Sequence, residues 1–231
     1  MDVVYVNKDG ENPELMYSLR TLKHVNHRKV WIFGGAPVWI NPDTVNHVSR
    51  MQKGSPYRST RGHIAAACNT PEVSDPFMLW NDDFYAMQRV GKMPLLHRGR
   101  IGGVMERYAN VKTTWARGLR EAAAMLEQRG LKDISYDLHV PLIVYKEPMR
   151  EALRWADKAA CDAIHTRTLY GNLVDLGGDA IADPKMSRRS APFPEGPWLS
   201  SGDDTFRSTI EPVLRYLFTE KCNYEKGSTN G

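Results

Sequence analysis

Cysteine is scarce in this chain. Cys68, Cys161 and Cys222 are its only three, they stand far apart, and no CxxC pair occurs. That excludes a disulfide framework and leaves reduced, mostly buried thiols as the expectation. Long apolar runs are absent too: nothing approaches the ~20 residues of a membrane-spanning helix. Met1-Asp2-Val3-Val4 also lacks the basic stretch that opens a secretory signal. A cytoplasmic protein with no membrane span is therefore expected. No internal repeat, heptad run or linker breaks the 231 residues. Residues 1–218 are expected to form a single domain, followed by a mostly disordered tail over 219–231. Excess charge is small: 31 Lys and Arg against 27 Asp and Glu give a net charge of +4, which permits a polyanionic partner without requiring one. Arginine is spread along the chain, with local concentrations only at His97-Arg98-Gly99-Arg100 and Lys185-Met186-Ser187-Arg188-Arg189.

What is present alternates between strand and helix signals. Asp2-Val3-Val4-Tyr5-Val6-Asn7 is a β-branched and aromatic run, closed by the turn residues Lys8-Asp9-Gly10. Asn12-Pro13-Glu14 then supplies a cap, a first-turn proline and an early acid. Leu15, Leu19 and Leu22 follow at helical spacing, so residues 13–25 predict an amphipathic helix. Val30-Trp31-Ile32-Phe33, ended by Gly34-Gly35, is a second buried strand. Strand–helix–strand predicts a parallel pair with a right-handed crossover, hence an α/β fold with a mostly parallel central sheet flanked by helices. Further along, Val45–Val48 suggests a short strand, and residues 58–68, 114–128, 149–156 and 165–173 suggest helices. Residues 134–139 and 84–90 read as strands, 177–196 as an exposed mobile loop, and Ser208 or Thr209 as the cap of a last helix.

Four polar clusters fall where strands or loops should end. In Asp75-Pro76-Phe77-Met78-Leu79-Trp80-Asn81-Asp82-Asp83-Phe84-Tyr85, a short apolar strand delivers two adjacent acids to one point. Asn and Asp also favour plain turns, but an apolar strand leading straight into two acids and then aromatics favours a site. Hard cations such as magnesium take oxygen ligands and keep substrate phosphates in their shell, so the pair suits a divalent metal on a diphosphate. Successive side chains alternate, so Asp82 and Asp83 should point differently and only one need be a direct ligand. Asn7-Lys8-Asp9-Gly10 lies after the first strand, where α/β sheets line their crevice; the alternative is an Asx turn. Leu138-His139-Val140-Pro141 holds a histidine in extended backbone before a proline, either as a general base or phosphate contact or as a structural side chain. Ser200-Ser201-Gly202-Asp203-Asp204 puts a second acid pair before a helix, where an ordinary cap is the plainer reading.

Taken together these blocks resemble the Stealth family, whose members transfer hexose 1-phosphate from nucleotide sugars. Asp2 to Asn7 with Asp9-Gly10 is similar to the family's opening block. Glu14-Leu15-Met16-Tyr17-Ser18-Leu19-Arg20-Thr21-Leu22 is similar to its Glu-Leu-Arg-Tyr-Ser-Leu-Arg-Ser-Leu, and Phe77 to Tyr85 to its Asn-Asp-Asp block. His139-Val140-Pro141 with Arg167 beyond, and Gly202-Asp203-Asp204, fall in the order of the later blocks. The resemblance implies a glycosyltransferase-A-like fold and a nucleotide-sugar donor. It implies magnesium or manganese on Asp82 or Asp83, with His139 at the phosphate or the acceptor. Arg167 would neutralise phosphate charge, and Asp203 or Asp204 would complete the site. Asn7, Asp9, Arg20 and Asn81 are then expected to contact the nucleotide sugar.

The expected activity is metal-assisted transfer of a sugar or a sugar 1-phosphate to a hydroxyl of a macromolecular acceptor, such as a glycan, a protein or a modified DNA base. The rival class is a non-catalytic nucleic-acid-binding protein on a decayed transferase fold, supported by the positive charge and the two arginine-bearing loops. It leaves the placement of Asp82, Asp83, His139 and Asp204 unexplained.

Overall fold

The computed structural model of the protein describes residues 1–108, 112–188 and 192–228, the side chain of Asp203 excepted. The apolar runs form a mostly parallel sheet. β1 (Val3–Asn7) lies between β2 (Val30–Gly34) and β4 (Phe77–Asn81), β3 (Val45–Ser49) lies outside β2, and β7 (Leu142–Val144) runs antiparallel outside β4. Val3 sits opposite Val30 on one side and Met78 on the other, which fixes the register of the three central strands.

A parallel sheet is buried on both faces, and the alternation of its strands shows it. Val4, Phe33 and Leu79 pack against α2 (Pro56–Asn69), α4 (Thr114–Glu127), α5 (Lys146–Ala156) and α6 (Thr166–Leu173). Tyr5, Ile32, Met78 and Trp80 face the other way, onto Leu15 and Leu19 of α1 (Pro13–Thr21). Full burial of side chains this large contributes ~1.5–3 kcal/mol each. The helix starts are set locally: Asn12, Ser55 and Thr113 accept hydrogen bonds from the amides of Leu15, Arg58 and Ala116.

A smaller sheet covers one end. In it β10 (Trp198–Ser201) pairs antiparallel with β5 (Phe84–Ala86) and parallel with β9 (Lys185–Met186). Leu199 and Tyr85 of this sheet pack with Phe206, Ile210 and Leu214 of the last helical stretch. That stretch runs from α7 (Asp203–Thr205) through a π-helical turn, Phe206–Ile210, into α8 (Glu211–Leu217). The remaining regular pieces are α3 (Ile101–Arg107) and the short parallel pair β6 (Leu96–His97) and β8 (Asp179–Ala180).

Several sequence expectations are corrected. Residues 134–139 form no strand. The open edge of β4 is taken by β7, and side chains of α6 serve this backbone instead: Asn172 Oδ1 accepts from the Ile134 amide at 3.0 Å and Thr168 Oγ1 from the Tyr136 amide at 3.2 Å. The strand after the acids stops at Ala86 and pairs with β10 rather than folding back on β4. Residues 177–196 are not uniformly exposed: Met186 is buried and Asp183 largely so, while 189–191 lie outside the described residues. The last helical stretch starts at Asp203, ahead of Ser208 and Thr209. Residues 219–228, read as the beginning of a disordered tail, pack onto the body through Glu225, which is 3% exposed and ion-paired with Arg20. Positions 229–231 lie outside the described residues. Among the described residues no helix is long and apolar enough to cross a membrane.

Candidate active site

In the sheet order β3-β2-β1-β4-β7 the chain moves outward from β1 to β2 and β3 on one side, then enters β4 on the other. Such a reversal opens a crevice beyond the carboxyl ends of the two strands it separates, here β1 and β4. β1 ends in Asn7, and β4 ends in Asn81, followed directly by Asp82 and Asp83. Close approach of the neighbouring loop requires glycine. A Cβ on Gly34, whose φ is +116°, would lie 2.0 Å from the Asn7 carbonyl oxygen, and one on Gly35 would lie 2.6 Å from Asp9 Cα. Asn7 Nδ2 in turn donates to the Gly35 carbonyl at 2.8 Å.

The turn that presents the acids is pinned from behind. The Phe84 carbonyl accepts from Ser18 Oγ at 2.5 Å and from Trp80 Nε1 at 3.1 Å, all three residues being buried. Asn12, the cap of α1, reaches into the same place, its Nδ2 donating to Asn7 Oδ1 at 2.8 Å and to Asp82 Oδ2 at 2.5 Å. Burial, and after it the neighbouring Asp83 carboxylate, pushes Asp82 above the ordinary carboxylate range against this hydrogen bond. Glu14, in the first turn of α1, is raised as well, first by burial and then by Asp82 and Asp83, although Ser201 Oγ donates to it at 2.5 Å. Asp83 accepts from Ser200 Oγ at 3.0 Å and lies 3.7 Å from Lys185 Nζ. Three acids thus converge where Lys8, Lys185 and the dipole of a helix start offset them.

His139 stands beside this cluster. Its Nδ1 is 2.9 Å from Asp183 Oδ2, its Nε2 is 3.2 Å from Lys185 Nζ, and its ring meets that of Phe84 edge-on at 6.1 Å. Arg167 lies over the other side of Phe84, 5.6 Å from the ring centroid, and donates to the Val140 carbonyl. Burial lowers its guanidinium to about 10 even with Asp137, Asp183 and Asp83 nearby, and its buried Nε has no hydrogen-bond partner. Next to it, Asp137 accepts from Trp115 Nε1 at 2.7 Å and lies 3.3 Å from His165 Nδ1.

Two cavities, each of about 220 Å³, meet at Asn81 and Thr60. The first holds Asn7, Lys8, Asp82 and His63; His63 is 4% exposed and its Nε2 has no partner. Burial, then Arg50, lowers the His63 ring below the usual histidine range, so it is neutral. The second cavity holds His139, Arg167, Asp137 and His165.

Of the residues singled out in the sequence, Asn7, Asn81, Asp82, His139 and Arg167 line these cavities, and Asp83 lies next to Asp82 against Ser200 and Lys185. Asp9 is exposed on the adjoining loop. Arg20 is elsewhere: its guanidinium makes two 2.7 Å bonds to Glu225 and one to the Phe218 carbonyl, tying the C-terminal segment to α1. Asp204 is exposed, and none of its described contacts joins it to the acid pair; the side chain of Asp203 lies outside the described structure. The serines of that block, Ser200 and Ser201, make the contacts with the acids instead. The two basic loops are divided: Arg98 is turned inward and Lys185 partly so, while Arg100 and Arg188 are exposed. Arg98 lies against Tyr108 and Trp115 and 3.5 Å from Asp183, Arg100 pairs with Asp133, and Lys185 faces the acids; Arg189 lies outside the described residues. Asn12, Glu14, His63, Asp183 and Lys185 are additions from the structure. Asn12 and Glu14 are visible in sequence only as helix-start residues, and Asp183 and Lys185 sit in a stretch whose composition reads as loop.

Among the described residues no group of three or more His, Cys, Asp or Glu side chains is gathered so as to hold a metal unaided. Magnesium and manganese sites on nucleotides need only one or two carboxylates, the phosphates completing the shell. Asp82 and Asp83 fit that requirement: the donors are oxygen, and the hydrogen bond to Asp82 comes from an uncharged amide. No family model matches the chain, and no curated protein matches it. Among solved structures, it is similar to the galactosyltransferase LgtC in complex with donor and acceptor sugar analogues, at 8% identity and a TM-score of 0.44, over 75% of this chain and 70% of that one. It is also similar to the apo form of mouse xyloside xylosyltransferase 1, at 8% identity and a TM-score of 0.35, over 97% of this chain and 96% of that one.

Proposed function

We propose that this protein is a transferase that moves a sugar, or a sugar 1-phosphate, from a nucleotide-sugar donor to a hydroxyl of a macromolecular acceptor. The observation that carries the proposal is the meeting of Asp82, the neighbour of Asp83, with Asn7 and Asn12 at the switch point of the sheet. In this reading the cavity of Asn7, Lys8 and His63 takes the nucleotide and that of His139 and Arg167 takes the transferred group and the acceptor, with Asn81 between them. Asp82 and Asp83 would hold magnesium or manganese, which supplies positive charge to the leaving diphosphate. Lys8 and Lys185 add their own positive charge, and Arg167 sits where charge develops on a transferred phosphoryl group. His139 accepts the proton of the attacking hydroxyl. The two chemistries, attack at the anomeric carbon and attack at phosphorus, need the same diphosphate clamp. The inward Arg98, held against Asp183, is not available to a nucleic-acid acceptor.

The test is turnover. Nucleotide sugars with different bases and sugars are incubated with manganese, and released nucleoside diphosphate and monophosphate are quantified. Diphosphate release marks glycosyl transfer or hydrolysis, and monophosphate release marks sugar-phosphate transfer. Asp82→Ala and Asp83→Ala, confirmed as folded by circular dichroism, should each lose ~10²-fold or more in rate, the scale of one strong electrostatic contact. Full activity in both variants would refute the metal-site assignment.

A further inference from the structure

The stretch that carries Asp183 and Lys185 enters the site between His139 and the acid pair, and its hydrogen bonds leave His139 one protonation pattern. Lys185 is an ammonium, which can only donate, so at 3.2 Å His139 Nε2 must be the acceptor. Asp183 is a carboxylate, which can only accept, so at 2.9 Å His139 Nδ1 must carry the proton. Asp183 Oδ1 also accepts from the backbone amide of His139 at 3.3 Å, holding ring and backbone together. Arg98 NH1, buried and 3.5 Å from the same Oδ2 that His139 Nδ1 meets, favours the ionised form of Asp183. Burial alone would raise the Asp183 carboxyl, but the hydrogen bonds from His139 and the positive charge of Arg98 hold it below the usual carboxylate range.

We infer that Asp183 is a positioning residue. It fixes His139, which lines the cavity assigned to the acceptor, as the Nδ1–H tautomer, so that Nε2 is the nitrogen left to take the hydroxyl proton. The inference rests on the transferase reading above. In the transfer step the acceptor O–H bond breaks and its proton goes to His139 Nε2. The acceptor oxygen forms the new bond to carbon or phosphorus, and the electron pair of the broken donor bond leaves on the nucleotide. The imidazolium so formed keeps its Nδ1–H on Asp183, whose negative charge stabilises it. Lys185 donates to the same lone pair and must give way to the hydroxyl, Asp83 at 3.7 Å being an anion within its reach.

The test separates this role from the reaction itself. Protein labelled with ¹⁵N in its histidine rings is examined by long-range ¹H–¹⁵N correlation, and His139 is assigned by comparison with His139→Gln. The wild type should show His139 neutral with the proton on Nδ1. Lys185→Met should keep that pattern, because Asp183 still accepts from Nδ1–H. Asp183→Asn in the Lys185→Met background, where no ammonium requires a bare Nε2, should lose it, with the proton moving to Nε2 or exchanging between both nitrogens. A wild-type Nε2–H tautomer, or an unchanged pattern in Asp183→Asn/Lys185→Met, would overturn the inference whatever the activity. If transfer is measurable, Asp183→Asn should lower kcat ~10²-fold, the scale of a mispositioned general base, with donor KM within about 3-fold. The double variant Asp183→Asn/His139→Gln should be no slower than His139→Gln alone. Additive losses would show that Asp183 acts elsewhere. A correct tautomer with no transfer to any acceptor would leave the positioning intact and count against the transferase reading.

Discussion

Asp82→Asn should make the protein more stable at neutral pH while disabling it. The wild-type carboxylate is pushed up first by burial and then by Asp83, and the Asn12 hydrogen bond only partly offsets this. A carboxyl whose folded-state value lies above 3.8 favours folding fully below 3.8 and loses that contribution as pH rises through its folded value. At pH 7.5 the wild type therefore carries the penalty of a half-buried acid beside another acid. Asparagine removes the charge but keeps an amide oxygen where Asn12 Nδ2 now donates at 2.5 Å, so that bond survives without its charge assistance. Relieving strain of this kind at a functional site commonly gains ~0.5–2 kcal/mol. For a chain of this size each kcal/mol moves Tm by about 2–4 °C, so a rise of roughly 1–8 °C is expected. Thermal unfolding followed by circular dichroism, with chelator present to remove trace cations, measures it at pH 7.5 and again at pH 4. The gain should shrink at pH 4, where Asp82 takes up a proton in the wild type. A lower Tm for the variant at pH 7.5, or a gain of the same size at both pH values, would refute the electrostatic reasoning.

Two further outcomes concern the scaffold. Arg20→Ala removes a bidentate partner and leaves Glu225, whose side chain is 4% exposed, as a buried lone charge. Urea unfolding should show a loss of ~3–5 kcal/mol, as for other broken buried pairs, while nucleotide binding is unchanged; a loss of binding with intact stability would restore Arg20 to the site. Asp2, with no side-chain exposure, is raised by burial but lowered more by hydrogen bonds from Arg28, the Ser74 amide and the Trp31 indole. Its stabilising contribution is therefore present above pH 3.8 and lost as pH falls through its lower folded value, so Asp2→Asn should cost stability at pH 7 and much less at pH 2 by denaturant titration.

The parallel core was legible because its code is local. Val3-Val4-Tyr5 and Phe77 to Trp80 have nowhere to go but a sheet buried on both faces, and Asn12 marks a helix start through its own side chain. The acids after β4 followed from the same logic, since the end of a strand at a switch point is a place set by topology. The segment 134–139 misled because alternating residues look alike whether strands or neighbouring side chains satisfy the backbone; Asn172 and Thr168 decide the matter from 30 and more positions away. Arg20 misled in the same way, its partner being Glu225, which the composition of the terminal segment hides. Asp183 and Lys185 were invisible because a loop rich in polar residues gives no sign of which side chains turn inward; that is fixed by β9 pairing with β10. Distant partners, not local pattern, decided every one of these positions.

The central claim is that Asp82 and Asp83 form a cation-dependent diphosphate clamp at the end of β4. Calorimetric titration of uridine, guanosine, cytidine, adenosine and thymidine diphosphates, each with manganese and with chelator, tests it directly. The account predicts that at least one nucleotide binds with manganese, that chelator weakens it at least 10-fold, and that Asp82→Ala removes the difference. Manganese-indifferent binding that survives in Asp82→Ala, or no binding of any of the five, would contradict it.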